Sequence, residues 1–335
     1  MARRGVPIVV VAAMVVSLAS CGLFDDEALP PSERLCDLGR GNDQGVAGHD
    51  LAASTRLPDG SVLFAFGDTY LGTVEGDTRT TTGLLNQTGA LIPEGEDICS
   101  DELRYLTGPG GEVRDLLADP PTEGSAYWPV DLAVRDGQVW MLFRWVQRAS
   151  DEALDIEVLG TGLAVADPDE LEFRAAATLL VDGGDPLPSA LVAHDGDLVT
   201  LVCGGDLDEG DCRLHLLDTD TVSIGRLLPP PAVGLAAAEM GLGRTTVDGE
   251  EAWRASSMPE LCGRLDVAVQ DGDGWDARPV LEPEPTGGGL CYAGRVQETY
   301  SSPDVLVATW VESPQERSDA DVYWPHVERI DLREE

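Results

Sequence analysis

Two aspartates flank a predicted β-hairpin at equal distances from its turn. Asp50 precedes Asp59 of the turn Asp59-Gly60 by nine residues, and Asp68 follows Asp59 by nine residues. In an antiparallel hairpin the two side chains stand nearly opposite, and cross-strand neighbours have Cβ atoms about 5 Å apart. Because two close carboxylates do not both ionise readily, one pKa rises and the pair supplies an acid and a base. Glycoside hydrolysis needs that combination.

A third carboxylate is expected near the same mouth of the fold. Asp131 stands at the matching strand start of the next repeat, in Trp128-Pro129-Val130-Asp131, where it would tune a pKa or position substrate. Glu239 and Glu298 occupy looser equivalents further along the chain. A structural role stays open as well, because the chain has 61 acidic residues and Gly67-Asp68-Thr69 is also typical of a strand end. A one-residue change of register would turn one carboxylate to the other face.

Short alternating apolar runs bounded by Gly, Asp and Pro recur along the chain and indicate an all-β fold. Asp-Gly suits type I′ hairpin turns. Five turns, at intervals of 53 to 77 residues, precede similar apolar runs: Asp59-Gly60, Asp136-Gly137, Asp195-Gly196, Asp248-Gly249 and Ser302-Pro303-Asp304. Each unit has room for four strands, so the period predicts a five-bladed β-propeller with four-stranded antiparallel blades. An irregular β-sandwich is the alternative, although it does not explain the period.

Charge and cysteine content limit the partners and the compartment. With 22 Lys+Arg against 61 Asp+Glu, the formal net charge is −39, which disfavours nucleic acid and attachment to anionic lipid through a basic patch. Six of the seven cysteines remain when Cys21 is set aside, and an even number in an exported protein predicts disulfides. Local pairing predicts Cys203–Cys212 across a hairpin, together with Cys36–Cys99 and Cys262–Cys291. No cofactor is expected, because the cysteines and histidines lack metal-ligand spacing and the acidic loops lack Ca²⁺-loop spacing.

The N-terminus has the pattern of a bacterial lipoprotein signal. Arg3 and Arg4 precede an apolar stretch, and small residues stand directly before Cys21. This pattern predicts a signal peptide over 1–20, lipidation of Cys21, an acidic linker over 21–44 and the propeller domain over 45–335. We therefore expect a monomer anchored by lipid to the outer face of the cell membrane. An ordinary signal peptide or anchor is the alternative.

The first repeat carries a family resemblance. His49-Asp50-Leu51-Ala52, Leu57-Pro58-Asp59-Gly60 and the run from Leu63 to Thr69 resemble the first blade of an actinobacterial family long labelled a domain of unknown function. Members of that family are recognised as five-bladed propeller glycoside hydrolases, including endo-D-arabinanases that cut mycobacterial cell-wall arabinan. The resemblance implies that Asp50 and Asp68 are the catalytic carboxylates. Ala52 departs from the family pattern, which more often has Gly there.

Aromatic side chains near strand ends are candidates for sugar binding, because sugar rings stack on flat faces. The candidate substrate-binding residues are His49, Tyr70, Tyr127, Trp128 and Trp310. Each also has an ordinary packing role as the alternative. The sequence thus predicts a surface-anchored glycoside hydrolase that acts on an extracytoplasmic polysaccharide, D-arabinan among the candidates. The alternative is a non-enzymatic propeller lipoprotein that binds glycan or an envelope protein.

Overall fold

The computed structural model describes residues 28–118, 120–148, 156–176, 180–183, 186–204, 212–229, 232–235, 239–286, 288–314 and 318–334. In these residues β-strands dominate, and helix is limited to the short 3-10 segments Glu298–Tyr300 and Leu332–Glu334, which confirms the all-β prediction. The predicted signal peptide over 1–20 and Cys21 lie outside the described residues. None of the described helices has the length and apolar character needed to cross a bilayer.

Antiparallel sheets of four strands follow one another along the chain, and the strands are numbered in chain order. The first sheet contains β3 (Ala53–Arg56), β4 (Val62–Phe66), β7 (Thr88–Ile92) and β8 (Arg104–Tyr105). The second contains β9 (Ser125–Arg135), β10 (Gln138–Arg148), β11 (Ile156–Ala166) and β12 (Arg174–Ala175), and β13 (Val181–Asp182) also pairs with β11. The third contains β14 (Leu187–His194), β15 (Asp197–Cys203), β16 (Cys212–Asp218) and β17 (Ser223–Leu227).

Two further four-stranded sheets complete the series. The fourth contains β18 (Met240–Val247), β19 (Glu250–Ser257), β20 (Leu265–Asp271) and β21 (Gly274–Leu281). The fifth contains β22 (Cys291–Val296), β23 (Val305–Glu312), β24 (His326–Asp331) and the N-terminal strand β1 (Ser32–Asp37). A three-stranded sheet, which the sequence did not predict, lies beside the first sheet and contains β2 (Val46–His49), β5 (Thr69–Glu75) and β6 (Thr78–Leu85).

The first strands of the sheets are neighbours in a ring. β3 contacts β9, β9 contacts β14, β14 contacts β18 and β18 contacts β22, while the 3-10 segment after β22 contacts β3. Apolar cores lie between successive sheets, as where Leu63 of the first sheet and Met141 of the second share one buried cluster. A ring of sheets packed face to face around inner strands is the architecture of a β-propeller.

The N-terminal strand corrects the predicted linker. Ser32–Asp37 pairs antiparallel with β24, so the chain enters the domain well before residue 45. Without this strand β24 would present an unpaired edge, and covering such an edge stabilises a sheet against association. The side chains of this strand are largely exposed, and most of its residues are polar. Its composition therefore resembles that of a linker.

Three of the four Asp-Gly turns have the predicted conformation. Asp136, Asp195 and Asp248 have φ of 52°, 53° and 51°, and the glycines after them also have positive φ, as a type I′ turn requires. The first turn is different, because Arg56 pairs with Val62 and leaves a five-residue loop. Within that loop the Asp59 carboxylate accepts hydrogen bonds from the amide and hydroxyl of Ser61.

The three predicted disulfides are present. Cys203 and Cys212 are directly paired across β15 and β16, with Cα atoms 4.0 Å apart. Cys36–Cys99 joins β1 to the loop after β7, and Cys262–Cys291 joins the fourth sheet to the fifth. Disulfides are typical of an oxidising compartment.

Candidate functional site

Asp50 and Asp68 lie side by side where the chain passes between two sheets. Asp50 connects β2 to β3, and Asp68 connects β4 to β5. The Asp50 amide donates to the Asp68 carbonyl at 3.2 Å, and the Gly67 amide donates to the Asp50 carbonyl at 3.1 Å. The hairpin therefore brings together the two aspartates that the sequence singled out.

Two tyrosines from the last part of the chain hold the Asp50 carboxylate. The hydroxyls of Tyr292 and Tyr323 donate to Asp50 Oδ2 at 2.9 and 3.0 Å. The other oxygen, Oδ1, lies over Gly67, where an added Cβ would come within 2.2 Å of it, so any side chain at position 67 would have to displace the Asp50 carboxyl. Burial raises the pKa of Asp50 well above its usual range, and the charges of Asp68 and Glu239 raise it further against the opposing tyrosine hydrogen bonds.

Asp68 has a more polar environment. Trp128 Nε1 donates to Asp68 Oδ1 at 3.1 Å, and Arg148 Nη2 lies 3.4 Å from Oδ2. Burial raises the pKa of Asp68 to about 6, while the Arg148 charge and the Trp128 hydrogen bond oppose that rise. At neutral pH one carboxyl of the pair thus holds its proton more tightly than the other, which is the separation that acid–base catalysis uses.

Asp131 lies away from this pair, in the wall between inner strands. Its Oδ1 lies 2.7 Å from Arg295 Nη2 and accepts from the Leu132 amide, and its Oδ2 accepts from the Leu191 amide at 2.8 Å. Burial raises the pKa of Asp131 against the Arg295 charge. The side chain borders a central cavity of about 320 Å³ that all five inner strands line. These contacts give Asp131 a structural role in joining the inner strands.

Glu239 is the third carboxylate of the site, and its charge raises the pKa of Asp50. The sequence had predicted this pKa-tuning role for Asp131. It directly precedes β18. Burial raises the pKa of Glu239, and the charges of Arg144 and Arg295 lower it. Burial lowers the pKa of Arg144 to about 10, and the negative charge of Glu239 opposes that fall. The site thus combines three acidic groups with two buried guanidinium groups.

Strained backbone surrounds the Asp50 carboxylate. Leu51, Ala293 and Tyr323 have φ of 60°, 55° and 69°, values that non-glycine residues seldom adopt. Leu51 follows Asp50, Ala293 follows Tyr292, and Tyr323 itself donates a hydrogen bond to Asp50. The Tyr323 backbone is held on both sides, because its amide donates to the Glu312 carbonyl and its carbonyl accepts from the His49 amide, both at 2.8 Å. Such strain persists only where the surrounding structure fixes it, and it concentrates at functional sites.

The aromatic candidates divide into core and site residues. His49 is fully buried with its ring 3.8 Å from that of Phe66, and burial lowers its pKa to about 3, so it packs the core instead of facing substrate. Trp310 is 1% exposed and packs on His326, so its predicted binding role is also wrong. Successive residues of an extended chain point to opposite faces, which is why the His49 side chain enters the core while that of Asp50, the next residue, belongs to the site.

Of the remaining aromatic candidates, Trp128 contacts a site carboxylate and Tyr70 packs on a tyrosine that does so, whereas Tyr127 packs on other aromatic rings. Trp128 bonds to Asp68, Tyr70 packs on Tyr323 with ring centres 4.9 Å apart, and the half-buried Tyr127 packs on Phe143. Sequence reasoning missed Tyr292, Tyr323 and Arg148. Their distance along the chain from Asp50 and Asp68 left no local signal for them. Among the described residues no group of three His, Cys, Asp or Glu side chains is placed to hold a metal ion.

Comparison with known proteins supports the fold. Residues 40–194 match a family described as a domain of unknown function, DUF5005. No curated protein matches the chain. Crystal structures with similar folds include a protein of Bacteroides ovatus ATCC 8483, at TM-score 0.64 and 15% identity over 88% of this chain and 87% of that one.

Two enzymes show the same similarity. A GH43_1 enzyme from Xanthomonas citri matches at TM-score 0.54 and 14% identity over 90% of each chain. A family 117 glycoside hydrolase of the marine bacterium Zobellia galactanivorans matches at TM-score 0.54 and 11% identity, again over 90% of each chain. At these identities the similarity establishes the fold, and the β-propeller prediction is confirmed.

Proposed function

We propose that the protein is a glycoside hydrolase that cleaves an extracytoplasmic polysaccharide, and that its five four-stranded sheets are the blades of a five-bladed propeller. The observation that carries the proposal is the adjacency of Asp50 and Asp68, two carboxyls with different proton affinities. The similarity in fold to glycoside hydrolases supports it. Fold similarity alone does not assign a reaction, so the carboxylate pair carries the argument.

The environments of the two carboxyls suggest their roles. Asp50 keeps its proton at neutral pH and acts as the general acid toward the glycosidic oxygen. Because Oδ2 accepts both tyrosine hydroxyls, the proton is available on Oδ1. Asp68 is ionised above its pKa of about 6 and acts as the base or nucleophile, oriented by Trp128 and Arg148. Tyr292 and Tyr323 are positioning residues, since they act through Asp50.

D-arabinan is the substrate that we propose for this site. The similarity of the first repeat to endo-D-arabinanases supports this choice through Asp50 and Asp68, the residues on which the repeat centres. A GH43_1 enzyme with a similar fold has been crystallised in complex with xylotriose and with xylose, and these pentose ligands support a pentose polymer as substrate. The proposed location is the outer face of the cell membrane, with lipid on Cys21, and the three disulfides of the domain support an oxidising compartment.

The test of function is oligosaccharide release from mycobacterial arabinogalactan by the purified protein with Cys21→Ser, which removes the lipid site. We expect release by this protein, and at least a hundredfold slower release after Asp50→Asn or Asp68→Asn. Asp220→Asn serves as the control, because Asp220 is an exposed turn residue in the third sheet. If the Asn variants at positions 50 and 68 release sugar as fast as the control, the proposed mechanism is wrong.

The location has a separate test. In the native host, the wild-type chain should fractionate with the membrane and take up labelled fatty acid. The Cys21→Ser variant should lose both properties. Incorporation of label that is independent of Cys21 would contradict the proposed anchor. If the protein binds arabinan without releasing any oligosaccharide, the non-enzymatic glycan-binding propeller becomes the better description.

A further inference from the structure

A small cavity opens directly beside Asp68. Its volume is about 190 Å³, and its lining includes Asp68, Asn86, Ser125, Trp128, Val146 and Arg148. The cavity thus combines an aromatic side chain, a carboxylate, a guanidinium, an amide and a hydroxyl. Convergent polar groups in a concave site fix the orientation of a bound ligand.

The polar groups of the cavity differ in whether they are free to bind a ligand. The Ser125 hydroxyl donates to the Thr122 carbonyl at 2.7 Å and accepts from Trp145 Nε1 at 2.9 Å, so it is already used. The described residues provide no hydrogen-bond partner for the half-buried side-chain amide of Asn86. The Arg148 side chain is 50% exposed, and only one of its nitrogens contacts Asp68, so other N–H groups remain for a ligand.

The charges in the cavity indicate what kind of group it accepts. Arg148 and Asp68 have opposite charges and lie 3.4 Å apart, so they offset one another. A ligand carboxylate placed here would meet the Asp68 carboxylate at close range and gain little from an arginine that is already paired. Hydroxyl groups can both donate to Asp68 and accept from Arg148 and Asn86.

We propose that this cavity binds the sugar unit next to the cleaved bond, that Asn86 and Arg148 bind its hydroxyls, and that this unit is a neutral sugar instead of a uronate. The inference rests on the proposed function and adds to it the cavity that holds the sugar and the two residues that bind its hydroxyls. Hydrogen bonds to the sugar unit next to the cleaved bond, such as those to its 2-hydroxyl, strengthen in the transition state. Loss of the Asn86 contact therefore lowers kcat/KM, which measures the loss of transition-state stabilisation relative to free enzyme and substrate.

The test compares the Cys21→Ser protein with the same protein carrying Asn86→Ala, using neutral arabinan oligosaccharides. We expect Asn86→Ala to lower kcat/KM about tenfold, the effect of one hydrogen bond worth about 1.4 kcal/mol. Asn42→Ala is the control for loss of an asparagine elsewhere, because Asn42 lines a different cavity beside Cys36–Cys99 and its side chain bonds to Leu103 and Gln44. Oligogalacturonides should be neither cleaved nor bound in the cavity.

The outcomes separate this inference from the proposed function. If neutral oligosaccharides are cleaved and Asn86→Ala has the kcat/KM of the control, the cavity assignment is wrong and the hydrolase proposal stands. Preferential binding of oligogalacturonide, lost on Asn86→Ala, would overturn the neutral-sugar assignment. If nothing is cleaved, calorimetric titration with the neutral oligosaccharides measures whether the protein binds them and whether Asn86 takes part in the binding. Binding that Asn86→Ala weakens about tenfold keeps the cavity assignment, and absence of binding overturns both proposals.

Discussion

Replacing Asp68 by Asn is expected to stabilise the folded protein, by an amount that grows as the pH rises. The folded structure raises the pKa of this carboxyl from 3.8 to about 6, chiefly through burial, and only 13% of the side chain is exposed. A carboxyl with a raised pKa binds its proton more tightly in the folded state than in the unfolded chain. Its contribution to stability is fully present below pH 3.8 and is lost as the pH rises through about 6.

The size of the effect follows from the pKa change. A rise of about two units corresponds to about 3 kcal/mol, since each unit is worth 1.36 kcal/mol. Asparagine resembles the neutral acid and does not ionise, so the variant escapes this loss. The free energy of unfolding of Asp68→Asn, relative to wild type, should therefore be about 2 to 3 kcal/mol greater at pH 8 than at pH 4.

Urea unfolding followed by tryptophan fluorescence measures the free energy of unfolding of Asp68→Asn and of wild type at each pH. Comparing variant with wild type removes the titration of the groups that both proteins share, apart from Asp50, whose pKa the Asp68 charge raises. Asp220→Asn, at an exposed turn position of the third sheet, is the control for an aspartate-to-asparagine change away from the site. A change of less than about 0.5 kcal/mol for Asp68→Asn between pH 4 and pH 8 would refute the argument that burial destabilises the ionised carboxylate.

Three further predictions concern the same region. Hydrolysis should rise with pH through about 6 as Asp68 ionises and fall again at higher pH as Asp50 loses its proton, a bell-shaped profile seen in kcat/KM against pH. Gly67→Ala should lower kcat at least tenfold with an unfolding midpoint close to wild type, because the new Cβ displaces Asp50 Oδ1 and position 67 does not need a positive φ. Arg295→Met should lower the free energy of unfolding by about 3 to 5 kcal/mol in urea titrations, since it leaves the buried Asp131 carboxylate unpaired.

The features that the sequence predicted well depend on local chemistry. Asp-Gly turns fix their own backbone conformation, which is why Asp136, Asp195 and Asp248 have the expected positive φ. The Cys203–Cys212 pairing follows from one hairpin. The adjacency of Asp50 and Asp68 likewise needs only one short pair of strands and its turn.

The features that the sequence did not predict depend on contacts between distant parts of the chain. Tyr292 and Tyr323 reach Asp50 from 242 and 273 residues away. The burial of Trp310 depends on its packing on His326 of the neighbouring strand. Pairing of β1 with β24 also joins the two ends of the chain, and the polar composition of Ser32–Asp37 gives no sign of it. Side-chain direction was a further difficulty, because one position in register separates the buried His49 from the site residue Asp50.

These long-range contacts make the chemistry of the site depend on closure of the whole ring. The Asp50 carboxyl belongs to the first sheet, but both of its hydrogen-bond donors come from the segment that builds the fifth sheet. That sheet is completed by β1, and the Cys36–Cys99 disulfide joins β1 to the loop after β7 of the first sheet. The hydrogen bond from the His49 amide to the Tyr323 carbonyl makes a second connection between the same two regions. An incomplete ring would retain the Asp50–Asp68 hairpin but would lose the tyrosines and the strained backbone that fix the Asp50 carboxyl. The proton affinity of Asp50 is therefore a property of the closed propeller, since the first blade alone cannot bury that carboxyl or supply its donors.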